Sequence, residues 1–478
     1  MSRRLPPFLL TALLAVTPVA GDAQVPTPAP PPLPRLEVDA YPPDARAQIG
    51  SAYSAAMDAR DDADAVGRLA LVLHAWEESE AAAATYARAQ ALAPANENWW
   101  YLGALLASRR GLHAEAARQF REAHARTPGD VLIALRLADA LLEAGQPDEA
   151  TPLYESLATR PESAPAAQYG LGRVRQLAGQ ADAARQAYER AVALYPDFGA
   201  AHYALARLQR RAGDTVAARA SLQRQQQCLA CWPVPPDMRR ARLDAVRDDP
   251  AALLQRGVSA AGSAADVAAA ADAIRLHEAA LARSPGLGQA HVNLIELYAR
   301  TGNLAQAEAH YASARALPGY AAEAHRAWGW VLLRQRRQDE AFPLFAEAVR
   351  LTPDNAQAQY GLAVSQELQG RLAEAAAAYA RAVTAAPTDR EIRFGHARVL
   401  LQLNRLDEAI AQLRQGIDPV DATTPRSLYA LSVALVRQGH VEDGRRHAQR
   451  ALELARQFDQ QELAGAIARD LTRLPPAP

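Results

Sequence analysis

Prolines at positions 94, 128 and 196, and again at 353 and 387, fall 34 or 68 residues apart within each group. Fixed periods of this size mark chains built from one repeated supersecondary unit, so this beat constrains the fold before any motif does. Glycine keeps the same time at Gly111, Gly145, Gly179, Gly213, Gly302, Gly370 and Gly439. Five residues after these glycines or their equivalents stands alanine: Ala116, Ala150, Ala184, Ala218, Ala307, Ala341, Ala375 and Ala409. Four further on comes a large apolar side chain: Phe120, Tyr154, Tyr188, Leu222, Tyr311, Phe345, Tyr379 and Leu413. The pattern predicts a helix, a tight turn, a second helix and a closing proline. Alanine lets the paired helices approach, and the large residue fills the space beside them. No such unit buries its apolar face alone, so the units must stack. A generic alanine-rich bundle has no reason to keep a 34-residue beat.

This spacing resembles the tetratricopeptide repeat family, whose consensus places Leu-Gly, Gly, Ala, an aromatic, Ala and Pro at these positions; Leu171-Gly172 and Trp328-Gly329 supply the helix-contact pair. The resemblance covers residues 63–458 and implies an all-α, right-handed superhelical α-solenoid of about eleven helix-turn-helix units. The units run 63–96, 97–130, 131–164, 165–198, 199–227, 250–287, 288–321, 322–355, 356–389, 390–424 and 425–458. Residues 44–60 read as a leading helix and 459–473 as a closing helix with a polar outer face. The beat is lost over 224–250, and a stretched turn follows around Ala261–Ala265. Two blocks, 44–227 and 250–474, joined by a Cys/Pro-containing bridge at 228–249, are one reading; a decorated continuous array is the other. The stretches HEAALARSP (277–285) and AHVNLIELYARTG (290–302) look like those of exported bacterial repeat proteins, relatives of which occur with FG-GAP-type secreted proteins.

The first 23 residues read as a signal peptide: Arg3 and Arg4 open it, Phe8–Val16 is apolar, and Gly21-Asp22-Ala23 is a small-x-small cleavage site. An uncleaved anchor is the rival, but the apolar stretch is short for a membrane span. A proline-rich spacer, 24–43, follows, with VPTPAPPPLP at 25–34 expected to stay out of any core. The expectation is a periplasmic or secreted chain, mature from Gln24, with no stable membrane anchor.

All 52 cations are arginine and face 53 carboxylates, a balance without the basic excess of a nucleic-acid binder. With half the residues hydrophobic, most of the chain is too apolar for intrinsic disorder. The absence of lysine removes P-loop, Schiff-base and Ser-x-x-Lys chemistry. Gly170-Leu171-Gly172 imitates a dinucleotide fingerprint, but no strand precedes it. His202, His291 and His325 all occupy the fourth position of their units, which favours packing over ligation. No catalytic residue, metal site or cofactor is expected. Cys228 and Cys231 read as a local disulfide pinning the bridge, with an exchanging or intermolecular pair and a metal site as the rivals.

In the family, unit positions 2, 5, 9, 12 and 13 line the concave face. By register this implies a binding surface of Tyr101, Tyr169, Tyr203, Tyr360, Phe394 and Tyr429 with Trp330. Interleaved are Arg109, Arg173, Arg207, Arg210, Arg211, Arg300, Arg334, Arg398 and Arg437, against sparse acidic residues at Asp139, Glu143, Glu296, Glu367 and Glu391. Aromatic rings offer contact area at low entropy cost and arginine grips carboxylates bidentately, so the expected ligand is an extended, acidic protein segment. The resemblance to exported repeat proteins implies a non-enzymatic scaffold. The alternatives are an assembly chaperone or bridge for envelope machinery (cytochrome maturation, pilus or polysaccharide export) and a thiol protein using Cys228 and Cys231.

Overall fold

The computed structural model describes residues 29–227, 231–261, 267–418 and 420–473. Among them the secondary structure is helical, with no strand. The leading helix is α1 (Pro43–Asp58). Five pairs follow: α2 (Ala63–Ala75) with α3 (Ser79–Leu92), α4 (Glu97–Arg109) with α5 (His113–Arg126), α6 (Val131–Glu143) with α7 (Pro147–Leu157), α8 (Ala164–Leu177) with α9 (Ala181–Leu194), and α10 (Gly199–Arg211) with α11 (Thr215–Gln227). The short α12 (Met238–Asp244) lies in the bridge. Six more pairs are α13 (Pro250–Ala260) with α14 (Val267–Arg283), α15 (Gly288–Arg300) with α16 (Leu304–Ala316), α17 (Ala321–Arg334) with α18 (Gln338–Leu351), α19 (Ala356–Leu368) with α20 (Leu372–Ala385), α21 (Arg390–Gln402) with α22 (Leu406–Gln415), and α23 (Thr424–Arg437) with α24 (Val441–Gln457). The closing helix is α25 (Gln461–Arg473). These elements match the eleven expected units.

The turn inside each pair explains the glycine beat. All seven beat glycines have positive φ, from 73° at Gly111 to 95° at Gly439. At Gly111, its N–H reaches Ser108 O at 3.0 Å and the N–H of Leu112 reaches Ala107 O at 2.9 Å, a Schellman closure that satisfies the last carbonyls of α4. Where the beat lacks glycine, Glu77, Arg336 and Asn404 adopt φ of 66°, 61° and 59° at the same register. The backbone requirement therefore holds without the residue that meets it most easily.

The eight beat alanines are buried, and seven of the eight large apolar residues with them. Leu222 is the exception, 36% exposed on α11, the last helix before the interruption. Close packing also fixes glycine inside the first helices. A Cβ on Gly170 would fall 2.2 Å from the Tyr154 ring, on Gly361 2.1 Å from Phe345, and on Gly395 2.5 Å from Tyr379. The Gly170 slot thus holds a neighbouring aromatic ring.

In five units the fourth position carries more than packing. His202 Nε2 donates to Pro196 O (2.8 Å), His291 Nε2 to Pro285 O (3.1 Å), Gln359 Nε2 to Pro353 O (2.9 Å), Arg393 Nε to Pro387 O (3.0 Å) and Trp100 Nε1 to Pro94 O (3.1 Å). Each bond reaches back six residues to a carbonyl at the end of the preceding unit, one that the helix cannot satisfy. His325 departs from this rule and pairs its Nδ1 with the Tyr311 hydroxyl at 3.0 Å.

The chain forms two compact units: Met1–Ala178 with Val234–Leu243, and Gly179–Pro233 with Asp244–Pro478. The division falls between α8 and α9, and residues 234–243 bond to α4 and to the start of α6 in the first unit. The expected stretched turn lies mostly outside the described residues. The described end of the proline-rich spacer is also held: Arg88 donates to Pro31 O at 2.6 Å, and Leu33 and Pro34 are half-buried. Extended proline backbone leaves its carbonyls without internal partners, and a buried arginine collects them.

Candidate functional site

The first helices of successive pairs carry the residues expected to face a ligand, and most of the expected arginines are already engaged. Arg109 pairs with Glu77, and Arg173 with Glu143 and, at 3.7 Å, Asp139. Arg334 lies 3.6 Å from Glu296, and Arg398 makes a two-pronged contact with Glu367 at 2.8 Å per prong. Arg437 donates to Leu401 O and Asn404 Oδ1, both at 2.8 Å. Four of the acidic residues that looked sparse, Asp139, Glu143, Glu296 and Glu367, are partners together with Glu77: each carboxylate stands one repeat earlier, and stacking brings it within reach. The arginines form an inter-repeat ladder rather than an open cationic surface. Arg300 also has a partner.

Arg207, Arg210 and Arg211 on α10 are different. All three are exposed, and among the described residues no carboxylate pairs with them. Beside them Tyr203 is 47% exposed, with the Arg207 guanidinium 6.0 Å from its ring centroid. Tyrosine and arginine at this spacing offer a flat contact and an unspent pair of donors.

The remaining expected aromatics are divided. Tyr169 is half-buried. Trp330 and Tyr360 form a contiguous pair with centroids 5.4 Å apart, backed by Phe345. Phe394 lies under Arg426, which is itself paired with Glu391. Tyr429 is closed off by α25 through a bond to Asp470, and burial with that carboxylate pushes its hydroxyl up to about 12.

Tyr101 is fully buried, under a segment of the bridge. Its hydroxyl donates to Asp237 Oδ2 at 2.5 Å, and Arg239 lies over its ring at 5.2 Å. Asp237, Arg239 and their partners Glu97, Asn98 and Asp130 went unforeseen in the sequence. The only signal was a Pro-Pro-Asp break followed by an arginine-rich stretch. Cys231 is disulfide-bonded, while Cys228 lies outside the described residues.

A polar cluster joins α14, α15 and α16. His291 Nδ1 stands 2.9 Å from His310 Nδ1, and His310 Nε2 is 3.1 Å from Glu278 Oε1, which also accepts from the Tyr298 hydroxyl at 3.0 Å. Only one proton fits between the two Nδ1 atoms. Burial holds the His310 imidazole below its ordinary range, against the pull of Glu278. Among the described residues, no group of three or more His, Cys, Asp and Glu side chains converges to hold a metal ion.

Three family profiles, all described as tetratricopeptide repeat, match residues 326–390; 108–174, 141–196, 175–227 and 367–426; and 288–313 and 425–450. Together they cover more than half of the sequence. The chain belongs to the tetratricopeptide repeat family. Among solved structures, it is similar to PilF of Pseudomonas aeruginosa at 16% identity (TM-score 0.40), over 46% of this chain and 97% of that one. It is similar to PilW, a type IV pilus biogenesis factor, at 18% identity (TM-score 0.39), over 46% and 98%. It is similar to yeast Tom70 at 12% identity (TM-score 0.38), over 86% and 95%. No curated protein matches its sequence. As a tetratricopeptide repeat protein the chain is a helical scaffold for protein interaction. The expected signal segment lies outside the described residues, and no described helix is long and apolar enough to cross a membrane.

Proposed function

We propose that this protein is an exported, non-enzymatic adaptor that holds a partner protein through the first-helix face of its repeats, gripping an extended, carboxylate-bearing segment. The reading rests on one observation: Arg207, Arg210 and Arg211 stand exposed beside Tyr203, while their counterparts along the array spend their charge on neighbouring repeats. An unspent guanidinium beside an exposed ring suits a carboxylate next to an apolar group, because it supplies paired donors and flat contact area together. The adaptor works outside the cytoplasm, where an oxidising environment keeps the Cys228–Cys231 link closed.

The test uses a fluorescent glutamate-rich peptide and the full mature chain. Reversing Arg207, Arg210 and Arg211 to glutamate weakens binding at least tenfold, and the wild-type affinity falls steeply with added salt. Reversing the paired Arg334 changes it less than threefold. Equal loss from both changes, or no loss from either, overturns the proposal. Mass analysis of the chain recovered from the cell envelope reads the start of the mature protein, expected at Gln24.

A further inference from the structure

Residues 234–243 lie with the first compact unit although they follow α11 in sequence. Asp237 has two tasks. Its Oδ1 accepts the Arg240 N–H at 2.8 Å and so caps α12, while its Oδ2 takes the Tyr101 hydroxyl at 2.5 Å. Two residues on, Arg239 is held on every side: Nη1 is 3.0 Å from Asp130 Oδ2, Nη2 is 3.4 Å from Glu97 Oε1, and Nε donates to Asn98 Oδ1 at 3.1 Å. The guanidinium also covers the Tyr101 ring. Glu97 and Asn98 open α4, and Asp130 caps α6, its other oxygen accepting the Leu132 and Ile133 N–H groups at 3.0 Å. The holding groups thus belong to two successive repeats and are fixed by their own helices. Arg136, close enough to act on the Tyr101 hydroxyl, keeps its buried Nε without a hydrogen-bond partner among the described residues. That leaves a buried donor unspent beside the site.

Such a site reads both signs of charge at a set spacing. A tyrosine hydroxyl takes a carboxylate, and two carboxylates with an amide oxygen take a guanidinium fork. The α10 patch, with arginines alone, reads only one. We propose that the α4–α6 face is a recognition site for a protein segment carrying aspartate two residues before arginine, that Asp237-Met238-Arg239 is its resident occupant, and that a partner protein presenting the same Asp-x-Arg spacing displaces it. The inference rests on the reading of the first-helix face as the partner-binding surface, and adds the partner's chemistry for the first unit. The resident segment acts at very high effective concentration, so a partner must match its contacts to compete.

The probe is a labelled peptide of residues 234–244, VPPDMRRARLD, measured by fluorescence anisotropy against the full chain. Replacing the resident contacts by Asp237→Ala with Arg239→Ala frees the face, and the peptide binds this variant at least tenfold more tightly than it binds wild type. A peptide with the aspartate and the first arginine exchanged loses that gain. Equal binding to the two chains, or equal binding of the two peptides, overturns the proposal. A second measurement needs no change in the bridge. Glu97→Gln with Asp130→Asn, isosteric at both positions and still able to cap α6, speeds tryptic cleavage after Arg239 and Arg240 at least tenfold; an unchanged rate overturns it. A wild-type dimer dissolved by Asp237→Ala with Arg239→Ala overturns it in favour of a second copy as occupant. Loss of the peptide result with glutamate-peptide binding at α10 intact removes this inference alone, whereas loss of both removes the adaptor reading beneath it.

Discussion

Arg336 stands where the beat calls for glycine, with φ of 61°, between two helices whose closure depends on that geometry. The Arg336 N–H reaches Leu333 O at 3.0 Å and that of Arg337 reaches Leu332 O at 3.0 Å, so the turn forms in full despite the cost. A left-handed conformation costs a residue with a Cβ about 1–2 kcal/mol, and glycine returns part of that as extra freedom in the unfolded chain. Arg336→Gly therefore stabilises the protein by about 0.5–1 kcal/mol, read as a rise in the urea midpoint at unchanged slope. Gly361 poses the opposite case. A Cβ there meets the Phe345 ring at 2.1 Å, and Phe345 is fully buried with no direction in which to retreat. Gly361→Ala costs about 1–3 kcal/mol by overpacking, and the same denaturation measurement shows it. The turn slot is marked in the sequence by its beat, whereas Gly361 is not. The turn glycine recurs because one backbone conformation recurs. The buried glycine is placed by a ring sixteen residues earlier, and only the stacked structure reveals it.

At the scale of helices, stacking decides what each residue does. The array is one-dimensional, so a helix is stabilised by its neighbours and hardly at all by distant repeats. The closing helix α25 covers the end of the second unit: Ile467 is fully buried among Leu428, Ala451 and Leu454. Ile467→Asp places a charge in that contact and detaches α25. Hydrogen exchange then accelerates at least tenfold over α23 and α24, while α15–α20 keep their protection. Uniform acceleration along the chain would show that the array unfolds as one body instead. The helix pairs and the closing helix were legible because periodic apolar residues, glycine and proline are local signals. The arginine ladder was not, because Arg398 meets Glu367, and Arg334 meets Glu296, only after two repeats have stacked. In the sequence alone Glu367 and Glu296 fall on the same face and look too few to matter. The seat of Asp237 and Arg239 lay further out of reach, since their partners on α4 come well over a hundred residues earlier. The fourth-position bonds were half legible: the bulky side chain was evident, the proline carbonyl it satisfies was not.

Over the whole molecule, the buried histidines make stability depend on pH in one direction. Burial holds the imidazoles of His277, His310, His325 and His396 below their ordinary value, all within the second compact unit. In the first unit His124 is shifted the same way, again chiefly by burial. An imidazole depressed in the folded state stays neutral there while the unfolded chain begins to take up protons, from about pH 6.5 downward. The unfolded state then binds more protons, so stability falls with pH, beginning near 6.5 and ending below the folded-state values. Carboxylates such as Asp249 and Asp421, depressed by their hydrogen bonds and arginine partners despite burial, add their own loss only at lower pH. The histidine window is therefore separate and opens first. At His310 a neighbour adds to the effect of burial, because its Nδ1 faces the Nδ1 of His291 across 2.9 Å. Thermal melts at pH 7.5, 6.5 and 5.5 show little change over the first step and a clear fall over the second. His310→Gln flattens that fall, and hydrogen exchange at pH 5.5 opens α14–α17 before α4–α6, because most of the buried imidazoles sit in the second unit. A protein whose melting point stays level down to pH 5.5, or whose first unit opens first, would show that these rings carry their protons in the folded state after all.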